Sequence, residues 1–198
     1  MSRTIVIGGL GRCGSTLLMQ MLSSVDVPTV GEHPDWECME TQHLLEDDPW
    51  AWEESVRGKA VKVLDAHRWT MPPIANARLI WLSRDADEQA KSMLKLLQVM
   101  FAGIDASRSS RRQLAKSIRF DTALARKALM VACGLDVPVL DLTFELILSQ
   151  PKFVAGQIAE YLGLGEDAEQ VMAAQVLKRS PECLPYLAEA QYFTDQPA

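Results

Sequence analysis

Residues 4 to 22 read T-I-V-I-G-G-L-G-R-C-G-S-T-L-L-M-Q-M-L, an apolar strand that runs through a glycine-rich turn into a helix. Further strand-type runs follow at Ala60 to Leu64, Leu79 to Ser83 and Val139 to Thr143, separated by helical patterns. Strands alternating with helices imply crossover connections, and so a parallel sheet covered on both faces. The prediction is a three-layer α/β/α fold with a central, mainly parallel sheet. With 198 residues and 48% hydrophobic content, the chain can bury one sizeable core, so residues 1–198 are expected to form a single domain.

The first turn points to an anion. Gly9, Gly11 and Gly14 leave no Cβ in the way, so successive amides can converge on one ligand. Ser15 and Thr16 open a helix whose first N–H groups lack internal partners and whose dipole favours negative charge. The spacing Gly9-x-x-x-x-Gly14-Ser15-Thr16 is that of a nucleotide-binding P-loop, except that Ser15 stands where a kinase places its lysine. A P-loop lysine reaches the β- and γ-phosphates, and its neighbour holds magnesium. Here the cation comes earlier, at Arg12, whose planar fork of donors suits a tetrahedral oxyanion without a metal.

The stretch Ile5 to Leu22 resembles the 5′-phosphosulfate loop of sulfotransferases that use 3′-phosphoadenosine 5′-phosphosulfate (PAPS). It is closest to the branch with R-S-G-T-T or R-S-G-S-T in the loop. Arg12-Cys13-Gly14-Ser15-Thr16 departs from that pattern only at Cys13, a residue nearly the size of serine. A second match follows Leu79 to Ser83, where Arg84 and Ser92 have the spacing with which the family reads the cofactor's 3′-phosphate. Two helical turns along, a hydroxyl can share an anion with a strand-end arginine. The family usually has proline after R-D; this chain has Ala86, at a position where proline mainly suits the helix start. Lys95 lies on the same helix face as Ser92. A third match, Val137 to Leu164, covers the family's late strand and a proline-started helix.

The resemblance implies transfer of a sulfuryl group from PAPS to a hydroxyl or amine acceptor, on a small molecule or borne by a peptide. It implies cofactor contacts at Gly11, Arg12, Cys13, Gly14, Ser15, Thr16, Arg84 and Ser92, and no metal. Arg12 would stabilise charge on the bridging oxygen. For the base that takes the acceptor's proton, Glu32 resembles the carboxylate of the arginine-loop branch, and His33 is its rival because imidazole titrates near neutral pH. Lys62 interrupts an apolar strand with a cation and would assist Arg12. Asp65, His67 and Arg68, at the end of that strand, are placed like acceptor-binding residues or are simply polar. A nucleoside or small-molecule kinase and a non-catalytic nucleotide-binding protein are the alternatives.

The rest of the chain says less. A net charge of −6 argues against nucleic acid or an anionic membrane as partner. Cys13, Cys38, Cys133 and Cys183 have neither paired nor metal-ligand spacing, which predicts free thiols in a reducing compartment. With no secretory pattern at the amino terminus, a cytoplasmic location is expected. Ser110 to Cys133 reads as a long helix. Glu46 to Glu54, acidic and tryptophan-containing, reads as a spacer. Arg108, Arg111, Arg112, Lys116 and Arg119 form either a solvated helix face or the border of an anion site. Lys178 and Arg179 are candidates to close over the nucleotide, and the last residues of the tail from Pro181 to Ala198 are expected to be mobile. Trp36, Trp50, Trp52 and Trp69 either line an aromatic acceptor pocket or pack the core.

Overall fold

The computed structural model describes residues 3–176. Its sheet has four strands: β1 (Thr4–Gly9), β2 (Ala60–Leu64), β3 (Ala77–Ser83) and β4 (Val139–Thr143). They are ordered β2-β1-β3-β4 and all neighbours run parallel, with Val6 opposite Val61 on one side and Leu79 on the other. Because side chains alternate across a strand, each strand feeds two cores. Ile5, Ile7, Ile80, Leu82 and Leu142 pack under α1 (Ser15–Ser23), α6 (Phe144–Ser149), α7 (Pro151–Leu162) and α8 (Ala168–Ala174). Val6, Val61, Val63, Leu79 and Trp81 pack under α3 (Pro49–Val56), α4 (Ala86–Met100) and α5 (Arg108–Cys133), with Leu45 of α2 (Met39–Asp47). The expected three-layer α/β/α arrangement is therefore present.

The connections put the site in one place. From β1 the chain crosses to β2 on one side; from β3 it crosses to β4 on the other. The carboxyl ends of β1 and β3 thus flank the point where strand order reverses, the crevice where open parallel sheets bind ligands. The glycine-rich turn leaves β1 there, and Arg84 follows β3 there.

One expectation fails. Glu46 to Glu54 is not a spacer: it spans the end of α2 and most of α3. Asp48 caps α3, its Oδ1 accepting from the backbone N–H of Trp50 at 3.2 Å and of Ala51 at 3.1 Å, and Pro49 takes the first helical position. Trp52 and Glu53 are buried there, and Arg57 donates to Glu53 at 2.5 Å.

Lys178, Arg179, Cys183 and the tail from Pro181 lie outside the described residues. Among the described residues no helix is long and apolar enough to cross a membrane.

Candidate active site

The turn after β1 is held from three directions. The Gln89 side chain of α4, buried at 3% exposure, donates its amide to the carbonyls of Leu10 at 3.2 Å and Gly11 at 2.7 Å. The backbone N–H of Asp65, just past β2, donates to the Gly9 carbonyl at 3.0 Å. Cys13 closes the turn from within, its N–H donating to Leu10 at 3.2 Å. Fixing the carbonyls of Leu10 and Gly11 on Gln89 sets the orientation of the peptide units that follow.

Two residues of the turn adopt left-handed backbone. Arg12 has φ 69°, a conformation non-glycine residues hold at a cost of about 1 to 3 kcal/mol and mostly at functional sites. Gly14, at φ 101°, is the N-cap of α1, and a Cβ there would lie 2.3 Å from Phe144 Cδ2. Glycine is needed at 14 on both counts. Ser15 is buried at the first turn of α1 and Thr16 is half-buried. Cys13 is fully buried, and burial pushes its thiol up to about 11, so it is an uncharged packing group.

The structure joins this turn to the second anion motif. Arg12 Nε donates to Ser92 Oγ at 3.3 Å, and Arg84 Nη1 donates to the Arg12 carbonyl at 3.2 Å. The Arg84 guanidinium lies over the Phe144 ring at 4.7 Å from its centroid. Its Nε is buried and has no hydrogen-bond partner among the described residues. Desolvation lowers the Arg84 guanidinium below its ordinary value, with Glu145 and Glu88 opposing that shift. α4 begins two residues further on, at Ala86, and is capped by Asp85, whose side chain accepts from the N–H groups of Asp87 at 3.1 Å and Glu88 at 3.0 Å.

A cavity of about 330 Å³ beside this network is lined by Leu10, Trp81, Arg84, Gln89, Ile118 and Arg119. Of the cations on α5, Arg119 pairs with Asp87 at 2.7 Å, while Arg108, Arg112 and Lys116 are exposed. Arg111 is half-buried.

A second cavity of about 280 Å³ lies on the β2 side of the turn, between that strand and the α2–α3 pair. Trp36, Trp52 and Trp69 line it together, whereas Trp50 is 66% exposed on the surface. Lys62 enters this cavity. Its ammonium donates to the Asp35 carbonyl at 2.5 Å and pairs with Glu37 at 3.0 Å, and its side chain is 5% exposed. Lys62 is thus satisfied by the Asp35–Glu37 segment. Glu32 and His33 are exposed in the preceding turn; the Glu32 carbonyl accepts from Trp36 N at 2.7 Å, and the His33 ring meets Trp36 edge-on at 5.5 Å. Asp65 and Arg68 also line the cavity, while His67 points toward Asp121 at 3.9 Å.

No protein-family model matches the chain, and no curated protein matches its sequence. Solved structures do. Mouse sulfotransferase SULT7A1 complexed with PAP superposes with a TM-score of 0.55 at 12% identity, over 91% of this chain and 67% of that one. The sulfotransferase domain from the curacin biosynthetic pathway gives 0.53 at 15% identity, over 100% of this chain and 93% of that one. Sulfotransferase STF9 from Mycobacterium avium gives 0.52 at 12% identity, over 87% and 67%. This chain has the sulfotransferase fold.

Within that sulfotransferase fold, Arg12, Arg84 and Ser92 form one connected group, and Gly14, Ser15 and Thr16 open the adjoining helix. Glu32 and Lys62 belong to the other, β2-side region. Sequence reasoning missed Gln89, Phe144 and Glu37. Gln89 stands three residues before Ser92 on the same helix face, a signal that was available; Phe144 and Glu37 are brought in by tertiary packing alone.

Proposed function

We propose that the chain is a PAPS-dependent sulfotransferase that moves a sulfuryl group to a hydroxyl, or less readily an amine, by in-line displacement. The observation that carries this reading is the Arg84–Arg12–Ser92 network, which couples two anion-competent helix starts at the sheet's switch point. Two anionic groups on one ligand fit that arrangement better than a single polyphosphate chain does. The absence of a lysine after Gly14 weighs against a kinase.

The residues present fit the nucleotide. The turn from Gly11 to Thr16 would take the 5′-phosphosulfate, with Cys13 supporting the turn from beneath. Arg84, with its buried Nε that has no hydrogen-bond partner among the described residues, and Ser92 would take the 3′-phosphate. When bound, PAPS supplies an activated sulfuryl group. Arg12 opposes the charge that develops on the departing oxygen, a role that needs a donor held in place before reaction. Lys62 holds the segment from Asp35 to Glu37 against β2 and so shapes the acceptor side. Glu32, the base that the resemblance implies, stands exposed in the turn before that segment, outside the lining of the tryptophan cavity.

The reading is tested by transfer of radiolabelled sulfate from PAPS to candidate hydroxyl acceptors. Wild-type protein is expected to transfer label, and Arg12→Ala to lose it. Retained transfer in Arg12→Ala would contradict the role given to that residue.

A further inference from the structure

The β2-side cavity carries a carboxylate that the exposed turn does not. Asp65 follows β2 directly with φ 52°, a left-handed conformation unusual for a residue with a side chain. Its backbone is pinned at both ends: its N–H donates to the Gly9 carbonyl at 3.0 Å, and its carbonyl accepts from Arg68 N at 2.8 Å. Its side chain does two things at once. It lines the tryptophan cavity, and its Oδ2 lies 3.6 Å from where a Cβ on Gly11 would stand. No other carboxylate lining that cavity is placed against the anion turn; Glu37 is engaged by Lys62.

We propose that Asp65 is the proton acceptor of the transfer reaction, and that the cavity of Trp36, Trp52 and Trp69 holds the body of a neutral, flat, hydroxyl-bearing acceptor. This rests on the sulfotransferase reading. The charges of the cavity set the acceptor's class: Lys62 and Arg68 balance Glu37 and Asp65, so the lining presents no net charge for an ionic acceptor to neutralise. Tryptophan walls favour a planar apolar body. A volume of about 280 Å³ admits one small ring system rather than a folded peptide segment. In the step itself, Asp65 takes the hydroxyl proton while the acceptor oxygen bonds to sulfur. The bond from sulfur to the bridging oxygen breaks, and its electron pair stays on the departing phosphate. Cavity and turn share this one carboxylate, so the oxygen losing its proton is the oxygen facing the sulfuryl group.

The test uses Asp65→Asn, since asparagine tolerates left-handed backbone as aspartate does and keeps the fold. Glu32→Gln is run beside it. The probes are 2-naphthol, un-ionised at neutral pH, and 4-nitrophenol, which ionises near neutral pH and so needs less help losing its proton. Asp65→Asn is expected to bind adenosine 3′,5′-bisphosphate as the wild type does. It should lose about 10²- to 10⁴-fold in kcat on 2-naphthol, the usual contribution of a positioned base, and markedly less on 4-nitrophenol. Glu32→Gln should show no such difference between the two phenols. An Asp65→Asn enzyme that turns over both phenols like the wild type, or a Glu32→Gln enzyme that shows the acceptor-dependent loss instead, would overturn the assignment. So would a wild-type protein that binds the nucleotide but transfers to neither phenol. Failure to bind adenosine 3′,5′-bisphosphate at all would overturn the underlying sulfotransferase reading.

Discussion

Arg84 donates to the backbone carbonyl of Arg12 at 3.2 Å, so the residue that follows β3 holds the most strained residue of the turn that follows β1. The two arginines act as a unit: one fixes the backbone from which the other reaches Ser92. Arg84→Ala is expected to weaken adenosine 3′,5′-bisphosphate by about 10- to 100-fold, the range for losing a charged hydrogen-bonding partner. Adenosine 5′-monophosphate, which lacks the 3′-phosphate, should lose far less. Calorimetric titration of both nucleotides against both proteins checks it. Arg84→Lys should not restore affinity, because an ammonium lacks the planar fork that can lie on Phe144 while reaching two anion oxygens.

Gln89 offers a sharper separation of scaffold from ligand contact. Gln89→Leu keeps the shape of the side chain but removes both N–H donors to the turn, leaving the carbonyls of buried Leu10 and half-buried Gly11 without that partner. A loss of about 1 to 3 kcal/mol in urea unfolding is expected. Nucleotide affinity should fall with it, because the turn's carbonyls are free to rotate toward the ligand.

Gly14→Ala and Gly163→Ala compare two left-handed glycines. At Gly163, φ 70°, nothing lies within 4 Å of an added Cβ, so the variant should cost only the backbone penalty of about 1 to 2 kcal/mol. At Gly14 the same atom meets Phe144 at 2.3 Å. That variant should be the less stable of the two and should lose nucleotide binding, by unfolding and titration measured on the same preparations.

Burial of thiols gives the fold an alkaline weakness. Cys13 is raised from 9.0 to about 11 and Cys133 to about 12, both by desolvation. A group raised on folding contributes stability fully below its unfolded value and loses it as pH climbs toward its folded value. Urea midpoints should therefore fall between about pH 9 and about pH 11, and Cys13→Ser should flatten part of that decline.

Much of the fold was legible because long, periodic elements dominate it. The strands Ala60–Leu64 and Val139–Thr143 occur with the boundaries the pattern implies. The segment around Asp48 was misread although its signal, a capping aspartate followed by proline, was present; the acidic composition outweighed it. Spacing located Arg12, Arg84 and Ser92 but could not show that one donates to another. Nor could it place Lys62 on Glu37, since those residues meet only when β2 packs beside the turn from 32 to 38. Trp52 and Trp50 make the same point: two positions apart, one is 2% and the other 66% exposed.

The most direct measurement is calorimetric titration of the wild-type protein with adenosine 3′,5′-bisphosphate in the presence of a chelator, set against ATP with magnesium. Two anion sites joined through Arg12 predict tight, metal-independent binding of the bisphosphate that is weakened in both Arg12→Ala and Arg84→Ala, with ATP much the weaker ligand. Preferential binding of ATP with magnesium, with the bisphosphate giving no heat, would contradict the account.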